Sequence, residues 1–117
     1  MEKQKKLHYD LDGSPVEITV QRANVRVGVN RYHMMMLADE ENKKEGSDAL
    51  VAPIRLFTFP SIVCGTLEVT GLPWPMEFDE FLELDEALVD AWVSAVHEVN
   101  PQWRGTTEGT EEVKKKK

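Results

Sequence analysis

The segment from Asp85 to Pro101 has the least freedom in how it folds. Leu88, Val89, Trp92, Val93, Val96 and Val99 follow one another at spacings of one, three, one, three and three residues, which places all six on one stripe of a helix. Asp85 is a good N-cap, Leu84 before it can staple onto Val89, and Asn100-Pro101 ends the helix. Immediately upstream, Phe78, Phe81 and Leu82 form a shorter amphipathic turn capped near Met76 or Glu77. A helix with one apolar side must cover it with another layer.

The N-terminal third supplies candidates for that layer. Leu7, Tyr9 and Leu11 alternate, Asp12-Gly13-Ser14-Pro15 turns the chain, and Val16, Ile18 and Val20 alternate again, which predicts a β-hairpin. From Asn24 to Ala38, Val25, Val29, Tyr32, Met36 and Leu37 follow helical spacing, with Asn24 as N-cap and Gly28 weakening the helix by about 1 kcal/mol. Residues 39–47 are polar without periodicity and read as an exposed loop. Ser47 or Asp48 can cap a second helical piece with Leu50, Val51, Ile54 and Phe57, with Pro53 in its first turn, and a break is expected at Phe59-Pro60. A short turn or helix, a brief strand over residues 66–70 and an extended link holding Trp74 between two prolines complete the middle of the chain.

Composition narrows the function classes. With 117 residues there is room for one domain and one modest core. From Leu56 to Trp103 there are nine Asp or Glu and no Lys or Arg, and the whole chain carries a net charge of -7. That balance disfavours nucleic acid and anionic membrane surfaces, which select clustered cations, and it points to a protein partner. Cys64 is the single cysteine, so no intrachain disulfide can form, and no apolar run is long enough to span a bilayer. The N-terminus has no apolar stretch for a signal peptide, and a cytoplasmic protein is expected.

No constellation of residues points to catalysis. Glu77, Asp79, Glu80, Glu83, Asp85 and Glu86 lack the glycine and oxygen pattern of a calcium loop and read as a solvated acidic face at helix starts. His8, His33 and His97 have no zinc-ligand spacing. Cys64 with His97 would form a dyad only if the fold brought them together, and a lone cysteine in an apolar stretch is more often a small buried hydrophobe. Phosphate loops, nucleophile elbows and dinucleotide fingerprints are absent from the sequence. No enzyme, cofactor or metal is expected. Of Met34, Met35 and Met36, at least one must lie near the surface, with Met34 the exposed one if the other two pack inside. Trp92 belongs to the core stripe, while Trp74 and Trp103 either clamp the two-helix unit or anchor a partner.

The order of parts carries a resemblance. A DGSPVEITV strand, the segment RANVRVGVNRY, the stretch FPSIVCGTLEVTGLPWP and the helices EFDEFLELDEALVDAWVSAVHEVNPQW, followed by a polar tail, together resemble the tail assembly chaperones of long-tailed bacteriophages and prophages. The resemblance covers Leu11 to Trp103. It implies a non-enzymatic helper, absent from the finished virion, that binds the long helical tape measure protein, and tail tube subunits as a further partner, before the tube polymerises. A homo-oligomer is left open. Lys114 to Lys117 fit a second family feature, a longer product made by ribosomal frameshifting on consecutive Lys codons, and equally fit a plain basic tail.

These readings converge on one small α+β domain over residues 1–103, a β-hairpin packed on several helices, and a disordered polar tail over residues 104–117. Trp74, Phe78, Phe81, Leu82 and Trp103 are the expected contact residues for the partner, with Glu80 and Glu83 tuning the charge around them. The rival expectation is a structural virion component, such as a tail-completion or connector protein, or another small acidic interaction module.

Overall fold

A computed structural model of the chain describes residues 3–45 and 48–104. Strands β1 (Gln4–Leu11) and β2 (Ser14–Gln21) form an antiparallel hairpin, and β3 (Thr66–Thr70) adds antiparallel to the other edge of β2. Leu11 pairs with Ser14, so the hairpin turns on Asp12 and Gly13 alone; both have positive φ, 51° and 88°, as a two-residue turn matched to strand twist requires. Val16, Ile18 and Val20 project from the central strand into the core, while Lys6, His8 and Glu17 meet on the outer face.

Helix α4 (Glu86–Val99) lies across the inner face of the sheet and buries Leu88, Trp92, Ala95, Val96 and Val99, as its spacing predicts. Its start is capped by Asp85, whose carboxylate accepts from the Leu88 N–H at 3.1 Å and also from the Tyr9 hydroxyl at 3.1 Å. Its end is tied to the hairpin by Lys5–Glu98 and by the fully buried Asn100. The Asn100 amide accepts from the Ala23 N–H at 2.8 Å and donates to the Gln21 carbonyl at 2.8 Å, standing in for a strand partner where β2 leaves the sheet. Trp92 satisfies its indole N–H on the Thr66 hydroxyl at 2.9 Å.

Helix α1 runs over Val25–Glu45, longer than its apolar spacing indicated. Asn24 caps it through the Val27 N–H at 2.9 Å. The polar residues expected as a loop are helical up to Glu45: Asp39 pairs with Lys43 at 3.1 Å one turn on, and Lys43 and Lys44 sit at the negative end of the helix dipole. Asn42 donates to the Ala52 carbonyl at 3.0 Å and accepts from Arg55 at 3.0 Å, fastening this turn to the next segment.

That segment starts on Asp48, which accepts from the Leu50 N–H at 2.7 Å; Ser47, the alternative cap, lies outside the described residues. The break expected at Phe59-Pro60 does not occur. A π-helical turn over Ile54–Thr58 runs directly into α2 (Phe59–Gly65), and the Phe59 N–H bonds back to Ile54. The wider turn moves the carbonyl that a proline ring would strike, so Pro60 is accommodated without ending the helix. After β3, the Trp74–Pro75 peptide is cis, and α3 (Phe78–Phe81) and a 3₁₀ turn (Pro101–Trp103) bracket α4. The tail expected to be disordered lies, from residue 105 on, outside the described residues, as do Lys114 to Lys117.

Candidate functional site

Two of the expected contact residues, Phe81 and Trp103, are buried packing residues. Phe81 is buried, its ring 5.1 Å from Phe59, because α3 turns its single apolar face onto α2. Trp103 is buried where the 3₁₀ turn folds back, with the Arg31 guanidinium 4.6 Å over its ring. Trp74 is half-buried against Trp92, with ring centres 5.4 Å apart. Trp103 is buried as a clamp, Trp74 packs on Trp92 with part of its surface still open, and Phe81, 3% exposed, is a core residue that only floors the groove described next. Phe78 is half-buried between Phe59, at 5.4 Å, and the Arg55 guanidinium, at 4.9 Å. It lines a hollow of about 370 Å³ shared with Met34, Leu37 and Pro60.

Leu82 remains exposed, and it opens onto a larger feature. A groove of about 500 Å³ runs between the π-helical turn and α4. Its apolar wall comes from Ile54, Phe81, Leu82, Leu84, Val89 and Val93, and its polar rim from Thr58, Glu86, Asp90 and Ser94. Two pairs on α4 with i,i+4 spacing build it: Val89 and Val93 form the wall, and Glu86 and Asp90 the rim beside it. Among the described residues no Lys or Arg lines the groove. It is therefore an apolar channel in a negative field, suited to an apolar side chain flanked by cations.

The remaining acidic residues divide by role. Glu80 accepts from the Glu77 N–H at 2.9 Å and so helps cap α3, a structural task beyond tuning charge. Glu83 is exposed next to Leu82. Among the described residues no group of three His, Cys, Asp or Glu could hold a metal ion. His8 lies outside near Glu17, His33 is exposed and His97 is buried. Cys64 meets the Met34 sulfur at 3.7 Å, and burial pushes its thiol up from the ordinary value, away from the reactive thiolate.

Ile54, Leu84, Val89, Asp90 and Val93 were missed as site residues by sequence reasoning. The available signal was the width of the α4 stripe: Val89 and Val93 sit at its edge, beyond what one sheet face covers, and acids follow them on the same side. Among the described residues no helix is long and apolar enough to cross a membrane. Comparison of the chain with protein-family models, with curated proteins and with solved structures finds no match.

Proposed function

We propose that this chain is a non-enzymatic binding module that seats apolar side chains of a partner polypeptide in the groove between the π-helical turn and α4. The observation that carries the reading is the groove itself, an apolar wall of Leu82, Leu84, Val89 and Val93 with, among the described residues, acids and hydroxyls on its rim. Each apolar side chain fully seated there contributes about 1.5–3 kcal/mol, and the negative rim selects segments whose apolar residues are flanked by Lys or Arg. The net charge of -7 keeps a complex soluble that would otherwise expose apolar surface.

Joined to the sequence resemblance, the groove supports reading the chain as a phage tail assembly chaperone acting in the host cytoplasm. Its partner is the tape measure protein, with tail tube subunits as a second client, and it leaves before the virion is complete. The test is co-expression with the tape measure protein, followed by size-exclusion chromatography. A soluble complex that is lost with Leu82→Glu, while the variant keeps its circular dichroism, supports the proposal. A tape measure that precipitates with or without this chain contradicts it. Stoichiometric recovery of the chain from purified virions would favour a structural component instead.

A further inference from the structure

The apolar residues that predict α1 point away from the body of the protein. Val25, Val29, Tyr32 and Met36 are 83%, 59%, 62% and 68% exposed, whereas Arg31, Met34, Ala38 and Asn42 make the contacts with the segments beneath. The four outward residues are spaced four, three and four apart, which is a coiled-coil seam over three turns. A contiguous row of four exposed large apolar residues exceeds what an isolated surface residue explains, and two such rows with their polar flanks suit a small specific interface, for which roughly 1,200 Å² in total is the lower end.

We propose that this face is a two-fold interface at which two copies of the chain pair their α1 helices antiparallel. Two features select that occupant and orientation. With the helices antiparallel, Val29 faces the partner's Tyr32 and Val25 faces the partner's Met36, so every layer holds one small and one large side chain. A parallel pair would stack Tyr32 on the partner's Tyr32 and leave valine facing valine. Charge agrees: Arg22 and Arg26 flank the N-terminal end of the seam, and at its C-terminal end Asp39, Glu40 and Glu41 outnumber Lys43 and Lys44, Lys43 being paired with Asp39, so antiparallel pairing brings opposite net signs level and parallel pairing brings like signs together. Gly28 borders the seam with nothing within 4 Å of where a Cβ would lie, so the packing of the single chain does not require a glycine there. The helix is already held by the fold, so pairing does not have to order it.

The experiment is sedimentation equilibrium of the full chain from micromolar to millimolar concentration. It is repeated for Val29→Glu, and paired with oxidative crosslinking of Val25→Cys and Met36→Cys in a Cys64→Ala background. A reversible dimer is expected, with Val29→Glu raising its dissociation constant by roughly 100-fold or more, because two carboxylates would be buried at the axis. The helices put residue 25 about 16 Å from the partner's residue 25 in the antiparallel pair. Crosslinks should therefore form in a mixture of the two cysteine variants and not in either alone. A chain that stays monomeric throughout, a dimer indifferent to Val29→Glu, or Val25→Cys crosslinking to itself overturns the proposal. So does a monomer whose Val29→Glu variant loses tape measure binding, which would assign the face to that partner.

Discussion

Asn100 offers the sharpest test of how the sheet is joined to α4. Its side chain is fully buried and makes three hydrogen bonds: from the Ala23 N–H at 2.8 Å, and to the carbonyls of Gln21 at 2.8 Å and Val96 at 3.2 Å. In Asn100→Ala, Val96 still receives the backbone N–H of residue 100, but Ala23 and Gln21 lose these side-chain bonds. At about 1–3 kcal/mol for each stranded group, and with both only partly buried, the expected loss is roughly 3 kcal/mol out of a typical 5–15. Asn100→Asp keeps the acceptor for Ala23 and places a carboxylate oxygen against two carbonyl oxygens. Its folded-state pKa must rise above the unfolded value of about 3.9. The folded state then holds a proton that the unfolded state has released, so the variant is nearest to wild type below that pH. It loses about 1.4 kcal/mol per pH unit above it, until the folded-state pKa is reached. Urea unfolding of the three proteins between pH 3.5 and pH 8, on the order of five pH points, measures this directly. An Asn100→Asp variant as stable as wild type at pH 7, or one whose deficit does not change with pH, would refute the bridging role.

Further predictions follow from other contacts. Tyr9 ionises above the ordinary tyrosine value because its hydroxyl donates to Asp85, with burial and the nearby acids adding to the shift. Stability from that contact is present below the unfolded pKa and is lost as pH rises through the raised one. Asp85→Ser, which keeps a capping oxygen, should return Tyr9 toward its normal titration in an ultraviolet scan, and an unchanged curve would remove the link. Gly71→Ala should destabilise more than Gly65→Ala. At residue 71, φ is +95° and a Cβ would lie 2.4 Å from the Pro15 carbonyl oxygen; at residue 65 it meets Val96 at 2.8 Å, an overpacking worth about 1–3 kcal/mol. Thermal melts in the reverse order would contradict the packing. Arg31 is buried with its Nε on Ser61 at 2.9 Å and its Nη2 without a hydrogen-bond partner among the described residues, and burial lowers its pKa. Arg31→Met should therefore match or exceed wild-type stability in urea. A loss above about 2 kcal/mol would mean the guanidinium holds α1 in place.

Those residues also mark where the sequence is informative. Periodicity finds the hairpin and α4 because one face of each is covered by the other, and the caps Asn24 and Asp85 follow from side-chain chemistry. The same periodicity finds α1 but misplaces its core, because apolar spacing defines a face and not the direction in which it points. Arg31 and Asn42, polar by composition, make the inward contacts, and Met36, expected inside, is exposed while Met34 packs on Cys64. The continuous helix through Pro60 depends on a π-helical turn with no local signature. Phe81 and Leu82 are adjacent in sequence and opposite in exposure, one buried under α2 and the other exposed on the wall of the groove. The groove takes Ile54 from one element and Val89 from another, a juxtaposition that only the tertiary fold creates.

The most direct test of groove capture is an amide-detected NMR titration of the isotope-labelled chain with a tape measure peptide bearing apolar residues flanked by lysines. The shifts are predicted to concentrate on Ile54, Leu82, Val89, Asp90 and Val93, to weaken with added salt, and to vanish in Leu82→Glu. Shifts centred on another surface, or a peptide that binds Leu82→Glu equally well, would contradict the groove as the site of capture.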